Sequence, residues 1–194
     1  PPYVEYRIVK SEYQLDGLYK SASADNLYAF CMERSCQVIR TPGKFGMIVP
    51  AGIMGLDDAE SLRKVLFESF FVMHFSSYAI RPSKLFDGVD QRLSIVLASK
   101  AEKRQSAQIW TTKYHHWNAE EREHLFSNLR YFRSYYHPRL LRIPQIGSQE
   151  AYDVIEKLEK YKALCVENYF TGHNSGFLLH YHRSPRYWIR AMDF

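Results

Sequence analysis

Three short apolar runs decide what this 194-residue chain can fold into. Phe45-Gly46-Met47-Ile48-Val49-Pro50 lies between a Pro-Gly turn and a proline, and Phe70–Ser76 and Arg92–Ser99 follow it. Each has the length of a strand. The first lacks alternation and reads as a buried strand of the type found inside a parallel sheet. Segments of helical period separate them. Leu27–Val38 carries Leu27, Phe30, Cys31 and Val38 near helical spacing. Asp25 or Asn26 can cap its first turn, and Thr41-Pro42-Gly43 stops it. A second helix opens at Asp57-Asp58, whose charge suits a helix N-terminus, and sets Leu62, Val65, Leu66 and Ser69 on one face. This helix–strand–helix–strand order predicts an α/β layer. Residues 1–20 are tyrosine-rich without a period and read as loop, as does the turn-rich stretch Arg81–Gly88.

The character changes at Lys100-Ala101-Glu102-Lys103-Arg104, so the chain divides into residues 1–100 and an α+β extension over 101–194. Within the extension, Gln108–Tyr114 has the bulky members of a strand. Asn118-Ala119-Glu120-Glu121 starts a helix close to the capping-box pattern. Ser148–Ala163 is the clearest helix, with Val154, Leu158 and Tyr161 on one face. Phe177–His182 and Tyr187–Ala191 are further alternating or bulky segments.

Composition narrows the function classes. The longest apolar run, Phe70–Phe75, contains His74 and is far too short to cross a bilayer. The first residues have no basic-then-apolar signal pattern. The net charge is +5 and uneven: residues 1–100 hold 12 Lys/Arg against 11 Asp/Glu, and residues 101–194 hold 14 against 10. That balance favours an anionic partner. Three cysteines form no ligand pattern and argue for reduced thiols in a cytoplasmic setting, with Cys31 and Cys36 expected in the core. His115, His116 and His124 have no Cys or carboxylate at ligand spacing, so no metal site is expected. No G-x-G-x-x-G occurs, and Gly43-Lys44-Phe45-Gly46 reads as the start of a strand rather than a phosphate cradle. The stretch from Arg130 to Arg142 interleaves Arg130, Arg133, Arg139 and Arg142 with aromatic rings, a pattern suited to phosphates and exposed bases. Tyr181–Tyr187, with Arg186, repeats the composition. These features alone also fit a non-catalytic DNA-binding or subunit-interaction module, or an RNA-binding protein.

Three motifs in order carry a resemblance. Pro1-Pro2-Tyr3 precedes Gly46-Met47-Ile48-Val49-Pro50, and Leu85-Phe86-Asp87-Gly88-Val89 then leads through Arg92-Leu93 into the strand ending near Ser99. Together they resemble the catalytic half of the S-adenosylmethionine-dependent adenine-N6 DNA methyltransferases of bacterial restriction–modification systems. The resemblance implies an α/β fold. The parent sheet has seven strands with one antiparallel to the rest, and this chain holds the last three, mixed, followed by the extension. It implies methyl transfer to adenine N6 in duplex DNA, with the adenine flipped out of the stack.

Residue by residue, the resemblance makes Pro1, Pro2 and Tyr3 catalytic. The Pro1 carbonyl accepts an N6 hydrogen and the Tyr3 ring stacks on the flipped base. Arg81, Lys84 and Phe86 lie in the loop flanking that base, and Arg130, Arg133, Arg139 and Arg186 are candidates for DNA contact. The motif's Asn would stand before Pro1, and the elements that bind S-adenosylmethionine would lie upstream. The chain is therefore expected to be part of a longer enzyme, inactive alone and without a cofactor site of its own. The strand at Phe45–Val49 is then expected to seek a partner by self-association, or to be covered by residues 4–20.

Overall fold

The computed structural model describes residues 1–15, 17–101, 106–138 and 140–160. Residues 1–154 form one compact unit and residues 155–194 a second. The first unit contains helices α1 (Tyr6–Val9), α2 (Leu27–Val38) and α3 (Glu60–Ser69), and strands β1 (Gly43–Pro50), β2 (Val72–Tyr78), β3 (Leu93–Lys100), β4 (Gln108–His115) and β5 (Phe132–Ser134). Helix α4 (Gln149–Lys160) runs across the boundary, with Val154 and Leu158 both exposed.

The five strands make one mixed sheet in the order β1-β3-β2-β4-β5. β3 is antiparallel to both β1 and β2, β4 is parallel to β2, and β5 is antiparallel to β4. The α/β class and the mixed sheet are as expected. Two strands beyond residue 100 extend the same sheet. One expectation is corrected: on its described edge β1 is not in a parallel pairing. Its described neighbour is β3, antiparallel to it. Its run of apolar residues has another cause. Phe45 and Val49 enter the main core on one face, while Ile48 joins a second apolar cluster on the other.

The Ala51 N–H donates to the Arg92 carbonyl at 2.9 Å, in step with the β1–β3 register. Odd-numbered β1 residues therefore turn their backbone groups to β3, and even-numbered ones turn them to the outer edge. Pro50 stands at such an outward position, where its missing N–H breaks no ladder bond. The Ile48 carbonyl, also outward, accepts the Tyr3 hydroxyl at 2.8 Å.

Asn26 caps α2, its side chain accepting the Tyr28 N–H at 3.3 Å. The helix boundaries agree with the sequence, but the buried stripe is rotated. Tyr28, Ala29, Met32 and Cys36 face the main core, while Val38 is exposed and Cys31 half-buried. Phe30 turns the other way, onto Tyr6 and Tyr19. These two rings come from residues 1–20, which are not simple loop: they hold α1 and run into a 3-10 turn at Lys20–Ala24. The buried Glu33 carboxylate accepts the backbone N–H groups of Lys20 and Ser21, filling the open donors at the start of that turn. In α3, Leu62, Val65 and Leu66 are buried as the period predicts. Helices α2 and α3 thus cover one face of the sheet, over Met73, Phe75, Val96, Ala98 and Ile109.

Candidate functional site

Because β1, β2 and β4 run parallel, their carboxyl ends at Pro50, Tyr78 and His115 share one side of the sheet. That is where open α/β sheets place ligands. A small apolar cluster forms there from Tyr78, Leu85, Leu93 and Trp117, with Tyr3, Ile48, Val89, Ile95 and Leu125 packed on it. Tyr3 also touches the main core, and burial pushes its hydroxyl pKa up, so the group is a neutral donor to Ile48. The ring is half-buried, while Pro1 and Pro2 are exposed.

The loop between β2 and β3 is fastened from below. The Ala79 N–H donates to the His115 carbonyl and the Ser83 N–H to the Trp117 carbonyl. His116 Nδ1 lies 3.3 Å from the Arg81 carbonyl. Arg122 donates through Nη1 to the Lys84 carbonyl at 3.4 Å and through Nη2 to that of Leu85 at 2.9 Å, with its guanidinium 5.7 Å from the Trp117 ring centre. Lys84 bonds Asp90 at 2.8 Å and holds that carboxyl below the usual range. Gly88, at φ +78°, makes the left-handed turn that a side chain would strain. Leu85 and Val89 point into the cluster, while Arg81 and Phe86 stay exposed.

Tyr3 and the loop carrying Arg81, Lys84 and Phe86 are therefore brought together at this end of the sheet. Arg133 is elsewhere: on β5, opposite Trp110, with its guanidinium 5.6 Å from that ring centre. Trp110 pairs with His74, four residues before Tyr78 and about 13 Å along the strand. Arg130 is exposed near it in sequence. Arg139 and Arg186, with the segments Phe177–His182 and Tyr187–Ala191, lie outside the described residues. Sequence reasoning missed Arg122. The available signal was Asn118-x-x-Glu121, whose capping box does form and fixes the turn Ala119–His124. Nothing local announces that this turn reaches a loop 37 residues earlier.

The methyl donor implied by the resemblance is not matched by the described residues. Beyond β1, the open side of Gly52 is filled by Leu56, 2.5 Å from where a Cβ would stand, so the turn offers no cradle. The Asp57 and Asp90 carboxylates are bonded to Arg142 and Lys84. Among the described residues, no group of three His, Cys, Asp or Glu side chains is placed to hold a metal ion. No helix among them is long and apolar enough to cross a membrane.

Residues 1–86 match the family described as Eco57I restriction-modification methylase, so the resemblance to a methylase of restriction–modification systems is borne out over that stretch. The fold is similar to part of the "cryoEM structure DrdV-DNA complex", at 13% identity and TM-score 0.52, covering 72% of this chain and 16% of that one. It is also similar to part of a nuclease-deletion mutant of the Type ISP restriction-modification enzyme LlaGI in complex with a DNA substrate mimic. There the identity is 12% and the TM-score 0.50, covering 66% of this chain and 14% of that one. The chain thus spans about a sixth of each of these proteins or less. No curated protein sequence matches it.

Proposed function

We propose that this chain is the part of a longer restriction–modification methyltransferase that walls one side of the target-base site. The reaction is transfer of a methyl group from S-adenosylmethionine to adenine N6 in duplex DNA. One observation carries the reading. Tyr3, the last residue of the motif, shares an apolar cluster with the 81–90 loop, and its hydroxyl is fixed on the Ile48 carbonyl. A ring anchored at its far end is preorganised to stack, so little rotamer freedom is lost when a flipped base arrives. Beside it, the exposed Phe86 stacks or wedges at the vacated step, and Arg81 and Lys84 lie against the phosphates. The exposed Pro1 carbonyl accepts an N6 hydrogen and draws lone-pair density out of the ring.

Residues 1–100 then belong to the catalytic domain, and residues 101–194 lead towards target recognition. The donor is held by residues outside this chain, and the outer edge of β1 takes a further strand from them or from a second copy. The setting is the cytoplasm. In the longer protein, Tyr3→Ala is expected to slow tritiated methyl incorporation about 5- to 150-fold, the loss of one base stack. Tyr3→Phe keeps the ring and is expected to stay within several-fold of the original rate. A normal rate for Tyr3→Ala in a protein that melts normally removes Tyr3 from the site. The chain alone is expected to transfer no methyl group.

A further inference from the structure

The face of the sheet opposite α2 and α3 has two parts. Its carboxyl end is filled by the cluster around Tyr78 and Leu93. Its other part presents one row, set by the register across all five strands: Gly46, Leu97, His74, Trp110 and Arg133. Leu97 is 47% exposed, His74 and Trp110 are half-buried, and Arg133 is exposed. Gly46 leaves the space above its strand to Leu97, whose Cδ2 lies 3.3 Å from where a Cβ would stand. The His74 and Trp110 rings are parallel within 12° at 6.3 Å, and Tyr131 meets His74 edge-on at 5.0 Å.

Charge identifies the partner. The five strands hold no Asp or Glu, and on this face they present Lys44 and Arg133, whereas the Lys100 ammonium is spent on the Cys36 and Ile39 carbonyls of the helix-covered side. Lys44, on the same side of β1 as Gly46, and Arg133 on β5 flank the row at either end. Five strands at the usual spacing make it about 19 Å across. Aromatic rings on a sheet, with cations at the rim, are the arrangement by which proteins hold unpaired bases and their phosphates.

We infer that this face binds single-stranded nucleic acid: the Arg133 guanidinium, which lies 5.6 Å over the Trp110 ring in the free chain, swings to a phosphate and yields that ring to a base, with another base against Leu97 and a further phosphate at Lys44. The inference rests on the reading that the chain acts on DNA, and adds a second contact away from Tyr3. Burial holds His74 below the usual imidazole range, which leaves its ring neutral for stacking near pH 7.

The test is fluorescence anisotropy of the full 194-residue chain with a labelled oligothymidylate of about ten nucleotides and, separately, a labelled duplex. Trp110→Ala is expected to weaken single-strand binding about 5- to 150-fold. Should that variant melt early, Leu97→Asp and Arg133→Ala, both at exposed positions, are expected to weaken it too. Arg133→Ala should also lower the salt slope by about 0.7. Arg81→Ala with Lys84→Ala is expected to weaken duplex binding and leave the single strand unaffected. Binding of the single strand that is indifferent to Trp110, Leu97 and Arg133 overturns the inference. So does a chain that binds the duplex alone, which leaves the duplex reading intact. Single-strand binding that depends on this row supports the inference even if Tyr3→Ala methylates normally.

Discussion

Arg63 shows how much of this fold rests on one side chain that reads as solvent-facing. It is fully buried in α3. Its Nε donates to the Leu141 carbonyl at 3.0 Å, and its Nη1 to those of Ile53 at 3.0 Å and Leu56 at 2.7 Å. Leu141 is held in the left-handed region at φ +53°, a cost for a leucine that a charge-assisted bond offsets. Burial lowers the guanidinium pKa, opposed by Tyr136 and its hydroxyl. The apolar period marks its neighbours Leu62, Val65 and Leu66 as core but cannot mark Arg63, because its acceptors come from other segments. Glu33 escaped the sequence for the same reason. Arg63→Met keeps the volume and removes the donors, stranding carbonyls in the interior. Urea unfolding is expected to show a loss of about 3–5 kcal/mol. A loss under about 1 kcal/mol would mean that water replaces the guanidinium without strain.

Helices α2 to α4 and strands β1 to β4 were legible to within a few residues, because their period and their stop signals are local, whereas the short α1 and β5 carry no such signal. Their pairing was not. β1 has the composition of a buried strand, and Phe45, Ile48 and Val49 are packed from its two faces while Lys44 and Gly46 stay exposed, yet it pairs with an antiparallel β3. Composition reports burial and is silent on direction. The loop between β2 and β3 was legible as a loop, and its resemblance marked Arg81, Lys84 and Phe86. What shapes it is Arg122, through the Lys84 and Leu85 carbonyls. Arg122→Ala is expected to speed amide exchange over residues 83–89 while protection in β3 stays unchanged, with a stability loss of about 1–2 kcal/mol. A uniform rise in exchange across the sheet would assign Arg122 to general stability instead.

For the whole molecule, acid is the natural probe. Burial lowers the pKa of His74 and, with Lys113 adding to the effect, that of His115. Unfolded histidines titrate near ~6.5, so below that pH the unfolded chain binds more protons than the folded one. Stability is therefore full above about pH 6.5 and declines as the pH falls through the lowered folded values. Melting temperature at constant ionic strength is expected to drop between about pH 7 and pH 5. The double change His74→Gln and His115→Gln should flatten that part of the curve. An unchanged slope would place the acid sensitivity in the carboxylates. At this scale the motif order pointed to the family that residues 1–86 match, because each motif is contiguous. The row Gly46–Leu97–His74–Trp110–Arg133 was invisible because it draws one residue from each of five strands.

The antiparallel seating of β1 on β3 also sets a timetable. Residues 43–50 leave the ribosome long before residues 93–100, with which they pair. At about 5–20 residues per second, β1 waits about 3–10 s for its partner. For that interval an apolar strand is presented with its β3 edge unfilled. Yield of the chain in a cell should thus depend on how well nascent segments are shielded, rising with slower, cooler expression or with added holdase chaperones.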